Sequence, residues 1–141
     1  MSNGKNTVNE ARFSLIVQGD GLDVAMIESR LGLKATRMIR KGEELNRLPL
    51  VVAPQDEWVH AISLTEPEGA DGEWNELLAR LLEHREQLHA LRDTYQVTLR
   101  MYVQSDYAQM AYQLMPETME KVVAIGLPLN VSSLSWGEVG M

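Results

Sequence analysis

The sequence predicts an α+β fold, a mainly antiparallel sheet with helices packed on one face, and three observations carry that prediction. Residues 12–17 and 96–103 alternate apolar and polar side chains with the period of a half-buried strand. Residues 73–91 repeat leucine and tryptophan at three and four positions, the spacing of an amphipathic helix. Pro116 and Gly126 bracket a further helix, the proline where its missing N–H does no harm and the glycine where the chain turns left-handed.

Taken in order, Phe13, Leu15 and Val17 define the buried face of the first strand, and GDGLD turns the chain. Val24, Ile27 and Leu31 place a short helix over residues 22–31, closed by Gly32. A basic segment, residues 34–41, follows as a connection. Strands are expected over 48–52 and 58–64, separated by the turn APQDE. Asp71 caps the long helix, Glu73 and Glu76 complement its positive end, and Trp74, Leu77, Leu78, Leu81, Leu82, Leu88 and Leu91 form its apolar stripe. Val97, Leu99, Met101 and Val103 mark the clearest strand. Met110, Tyr112 and Leu114 follow the connection SDYAQ as its hairpin partner. After the Pro116 helix, LPLNVSSLSW supplies a last strand. The order is β-α-β-β-α-β-β-α-β, whose first six elements match a ferredoxin-like unit. Residues 1–10 are expected as a flexible tail and 11–141 as one domain, a length able to bury about 68 to 70% of its unfolded surface around a single core.

Composition narrows function by exclusion. No apolar run approaches the roughly 20 residues that span a bilayer, and MSNGKNTVNEAR has no hydrophobic stretch for a signal peptide, so a cytoplasmic location is expected. The absence of cysteine removes disulfides, thiolate metal sites and a cysteine nucleophile. Through residue 60 eight bases balance eight acids; beyond it five bases face twelve acids, and the net charge of -7 arises there. That balance argues against nucleic-acid binding, which needs a basic footprint to release phosphate counterions.

The motif search removes further chemistries. Gly19 and Gly21 follow a strand, but Val24 stands where a dinucleotide fingerprint needs its third glycine. His84 and His89, five residues apart, lie about 140° apart around a helix and cannot share one metal ion. No nucleophile elbow, phosphate loop or calcium loop is present, so no catalytic residue, metal or cofactor is expected. An enzyme would require Glu44, His60 and Asp106 to meet in one cleft. Trp58, Trp74 and Trp136 sit at the ends of elements, as rings sealing the margins of a core.

The strand RFSLIV followed by GDGLD, the helix ending in RLGL, ATRMIRKGEEL, the tryptophan of EWVHAISL, the long helix and MPETMEKVVAIGLPLNVSSL together resemble the bacterial domain family of unknown function DUF4279. The resemblance spans nearly the whole chain and implies an α+β fold in a bacterial cytosol. It departs from the family pattern at Ala35, where a proline is expected, and at Met38 and Ile39, where an aromatic residue is expected.

Two functional readings follow. The first is a non-catalytic binding or protein-interaction domain of the immunity or accessory kind, meeting a basic partner through its acidic second half. The second is a small-anion or metabolite site on the basic segment, built from Lys34, Thr36, Arg37, Arg40 and Lys41, set against the plain alternative that these charges are solvated. Self-association as a homodimer is expected through an edge strand, VSSLSW or MAYQLM. No membrane contact is expected.

Overall fold

Because side chains alternate along a strand, Phe13, Leu15 and Val17 go to one face and Arg12, Ser14 and Ile16 to the other. The strand that carries them, β1 (Glu10–Gly19), becomes the centre of a five-stranded sheet. A computed structural model describes residues 10–45, 51–64, 71–107 and 113–138. The elements run β1, α1 (Val24–Leu31), β2 (Arg37–Ile39), β3 (Glu44–Leu45), β4 (Val51–Val52), β5 (Asp56–Leu64), α2 (Asp71–Glu83), α3 (Arg85–Leu91), β6 (Gln96–Tyr107), α4 (Pro116–Ile125) and β7 (Leu129–Glu138).

The sheet order is β2-β5-β1-β6-β7, antiparallel except where β7 joins β6 in parallel. The path from β1 through α1 to β2 leaves room for β5, and the path from β5 through α2 and α3 to β6 leaves room for β1. Two split β-α-β units therefore interleave, which is the ferredoxin-like arrangement. The unit from β6 through α4 to β7 widens the sheet by one strand. β3 and β4 form a separate two-stranded ribbon.

All the helices serve one face. Phe13, Leu15, Val17, Trp58, Val97 and Leu99 pack there against Ile27 and Leu31 of α1, Trp74, Leu78 and Leu81 of α2, Leu88 and Leu91 of α3, and Ile125 of α4. The rings of Phe13 and Trp74 meet at 4.9 Å and 45°. Helix ends are tied down by side chains, from the helix's own cap or from neighbouring elements. Asp23 caps α1 by accepting from the Met26 N–H at 3.1 Å, and Arg80 of α2 donates to the Gly32 carbonyl at the other end. At the C-terminus of α4, Arg85 donates to the Ala124 carbonyl and His89 Nε2 lies 2.8 Å from the Ile125 carbonyl. Both groups meet the carbonyls that a helix end leaves unpaired.

Several expectations are corrected. The helix over 73–91 is two helices, broken at His84, whose N–H turns back to Leu81 and whose Nδ1 lies 3.0 Å from the Arg80 carbonyl. Leu81 and Leu88 are seven residues apart, two helical turns, so the apolar stripe continues across the break and conceals it in the sequence. Part of the basic connection is a strand, β2, because Arg37, Met38 and Ile39 pair with Val59, Trp58 and Glu57. Of the expected strand over 48–52, residues 48–50 lie outside the described residues, and Val51–Val52 pairs with Glu44–Leu45. Met110 and Tyr112 of the expected hairpin also lie outside them, whereas Leu114 is described, in no strand, and packs on the core. The outer neighbour of β6 is β7, reached by a crossover. Among the described residues no helix is long and apolar enough to cross a membrane.

Candidate functional site

The face of the sheet turned away from the helices carries a groove of about 600 Å³. Its floor follows from strand register. Ile16 lies opposite Val59 on one side and Thr98 on the other; Ser14 lies opposite Ala61 and Arg100; Arg12 lies opposite Ser63 and Tyr102. The central positions are small or β-branched, so Ser14, Ile16, Val59 and Thr98 are buried and the long side chains rise around them. Arg37 enters from β2, Arg100 and Tyr102 from β6, and Arg12 from β1, all lining the same cavity.

Charge in the groove is one-sided. Among the described residues three arginines line it with a single carboxylate, Glu57, and that carboxylate accepts from Gln18 Nε2 at 2.8 Å. Arg12 holds Glu10 at 2.9 Å and lies over the Tyr102 ring, 5.4 Å from its centroid. Among the described residues Arg37 and Arg100 have no carboxylate partner. A planar guanidinium offers a fork of donors matched to carboxylate or phosphate, so this face suits an anion.

The five basic-segment residues do not gather at one point. Thr36 lines the groove but its hydroxyl is occupied, donating to the Val59 carbonyl at 3.2 Å and accepting from the Ala61 N–H at 3.0 Å. It fastens the start of β2 to β5, and Arg37 follows it into the cavity. Lys34 is exposed, and its carbonyl lies 2.7 Å from His60 Nδ1. The Lys41 ammonium lies 3.7 Å from the Asp20 carboxylate, whereas the Lys41 backbone N–H and the Arg40 side chain turn to Asp56. That buried carboxylate accepts from the Lys41 N–H at 2.8 Å, the Leu22 N–H at 3.1 Å and the Arg40 guanidinium at 3.1 Å. The Lys41 N–H, foremost, with Leu22 and Arg40 in support, holds the Asp56 carboxyl below the usual carboxylate range, against the opposing effect of burial.

A family model for a domain of unknown function, DUF4279, matches residues 9–136. The chain belongs to the DUF4279 family. The match takes in every strand that lines the groove, from Arg12 on β1 to Ser132 on β7. No curated protein and no solved structure gives a significant match to this DUF4279 chain.

A second anchor of this DUF4279 chain is the half-buried Glu28 of α1. It accepts from the Ala35 N–H at 2.8 Å and from the Trp58 indole at 3.3 Å, and these bonds, the Ala35 bond first, lower its carboxyl from the ordinary value. His60 lies in the register row of Leu15 and Leu99, on the helix side of the sheet, and therefore does not face the groove. Among the described residues no three histidine, cysteine, aspartate or glutamate side chains cluster as a metal site. Sequence reading singled out Thr36 and Arg37 but passed over Arg12, Ser14, Arg100 and Tyr102. Their signal was present as the polar half of two alternating strands, and only the register showed that the two halves adjoin.

Proposed function

We propose that this domain is a non-catalytic binding protein whose sheet groove holds a small anionic ligand. The observation that carries the reading is that Arg12, Arg37 and Arg100, from three different strands, all line one cavity of a chain with net charge -7. Placing cations together in a groove concentrates positive potential that the rest of an acidic surface would not supply. The cavity of about 600 Å³ falls within the range of small-molecule sites, and its lining, in which polar and charged residues surround Ile16, Val59 and Ala61, suits a charged ligand. Support for a non-catalytic role comes from the same lining. Its carboxylate, Glu57, is bonded to Gln18, and the nearest histidine of the sheet, His60, belongs to the opposite face.

The test is a thermal-shift series with phosphate, sulfate, carboxylates and nucleotides at low and moderate salt. A ligand bound only by the folded state raises the melting temperature by mass action. The proposal expects stabilisation by anions that weakens with salt and disappears in the Arg37→Gln, Arg100→Gln double variant. Anion stabilisation unchanged in that variant would overturn it.

A second reading concerns self-association. β7 is the longer of the two edge strands of the sheet, ten residues against three for β2, and Val131 on it is 62% exposed. An edge of this length offers a row of backbone donors and acceptors to another strand. We infer that two copies pair through β7, consistent with the two-fold symmetry most homodimers adopt.

A further inference from the structure

The register fixes how far apart the three arginines stand. Arg12 lies opposite Tyr102 and Arg100 opposite Ser14, so Arg12 and Arg100 are diagonal neighbours on β1 and β6. The two residues are therefore about 7 to 8 Å apart. Arg37 is remote from both. It lies opposite Val59, which lies opposite Ile16, and Ile16 is four residues along β1 from Arg12. Two strand spacings of about 4.8 Å and a rise of about 3.3 Å per residue put Arg37 roughly 16 Å from Arg12. The same geometry, three spacings and two residues, gives roughly 16 Å to Arg100.

Glu57, bonded to Gln18, stands diagonal to Arg37, and Glu10 pairs with Arg12, so Arg37 and Arg100 are the arginines left without a carboxylate partner among the described residues, and between them the described floor carries no charge. Ile16, Val59, Ala61 and Ser14 occupy it, three of them apolar. A single compact anion would engage one end and leave the other unfilled. We propose that the groove takes an elongated dianion, a linear molecule with a carboxylate or phosphate at each end and an apolar middle. The Arg12 and Arg100 pair holds one end, Arg37 holds the other, and the middle lies along Ile16 and Val59. The stacking of Arg12 on Tyr102 presents its guanidinium toward β6, where Arg100 stands. Thr36, bonded twice to β5, sets the position of the distant end.

This inference rests on the groove binding anions at all, and the experiment separates the two failures. The full chain is titrated calorimetrically at low salt with α,ω-dicarboxylates from succinate to dodecanedioate, with monocarboxylates of matching length, and with the corresponding alkane bisphosphates. The dianions are expected to show an optimum length. At that length they should bind about tenfold or more tightly than the matching monoanion, the scale of one added charge-assisted contact. Arg37→Gln should remove that advantage, lowering the affinity for dianions far more than the affinity for monoanions. The bisphosphate arm identifies which anionic group the ends prefer. Equal affinity for monoanions and dianions, or an Arg37→Gln effect of the same size on both, would overturn the dianion assignment while leaving the groove as an anion site. Absence of binding by every anion in the series would overturn both.

Discussion

Replacing Leu99 by alanine and, separately, Arg100 by alanine probes the two faces of the sheet at adjacent positions of β6. Leu99 is 0% exposed, lies between Leu15 and Leu129 on the neighbouring strands, and belongs to the core under the helices. Arg100 lies opposite Ser14 on the groove face and is half-buried. Truncating Leu99 removes three buried carbons, worth about 2.4 kcal/mol in transfer free energy alone. The cavity left between sheet and helices adds to this, for a total of about 2.7 to 5 kcal/mol. For a chain of this size that corresponds to a fall in melting temperature of about 8 to 15 °C. Arg100→Ala leaves no core cavity and should change stability by no more than about 0.5 kcal/mol. Urea denaturation monitored by tryptophan fluorescence, with the m-value held in common, measures both. Comparable losses from the two variants would refute the division into a packed face and a groove face.

Three further outcomes follow from the same structure. The Asp56 and Glu28 carboxyls are both lowered by backbone N–H donors, so each stabilises the fold fully above the ordinary carboxylate value of about 4, and that contribution is lost as pH falls through the lowered folded value. Asp56→Asn should therefore reduce stability at neutral pH and flatten its decline in acid, measured as urea midpoints from about pH 7 to about pH 2; an unchanged acid profile would contradict this. A Cβ at Gly19 would sit 2.7 Å from Tyr95 Cδ1, and the Tyr95 hydroxyl accepts from the Asp23 N–H, so Gly19→Ala should destabilise by about 1 to 3 kcal/mol through overpacking, with the cost relieved in combination with Tyr95→Ala. Sedimentation should show a concentration-dependent dimer that Val131→Lys weakens, and a monomer at every concentration would refute pairing through β7.

Much of the fold was legible because burial imposes periodicity. Phe13, Leu15 and Val17 announced a strand, Ile27 and Leu31 a helix, and Pro116 with Gly126 both ends of another. What stayed hidden depended on contacts between distant segments. The break at His84 left the leucine stripe in phase, so no local pattern reported it. β2 is three residues long and owes its existence to β5, with which Thr36 also bonds, so its own residues carry no strand signal. The candidate site was half legible for the same reason. Arg37 stood out in a basic run, but the Arg40 side chain belonged to Asp56 and the Lys41 ammonium to Asp20, carboxylates on other segments that the run itself cannot reveal. Arg12 and Arg100 join Arg37 only through the pairing of β1 with β5 and β6.

The most direct test of the central claim is the mapping of anion binding onto the backbone by NMR, titrating ¹⁵N-labelled protein with phosphate and with a long dicarboxylate at low salt. The groove account predicts shift changes at Ser14, Arg37, Ala61 and Arg100, with the Asp56 corner and the outer face of α4 undisturbed. Changes confined to Arg40, Lys41 and Asp56, with the sheet face silent, would contradict it and return the basic segment to the role of an anion site by itself.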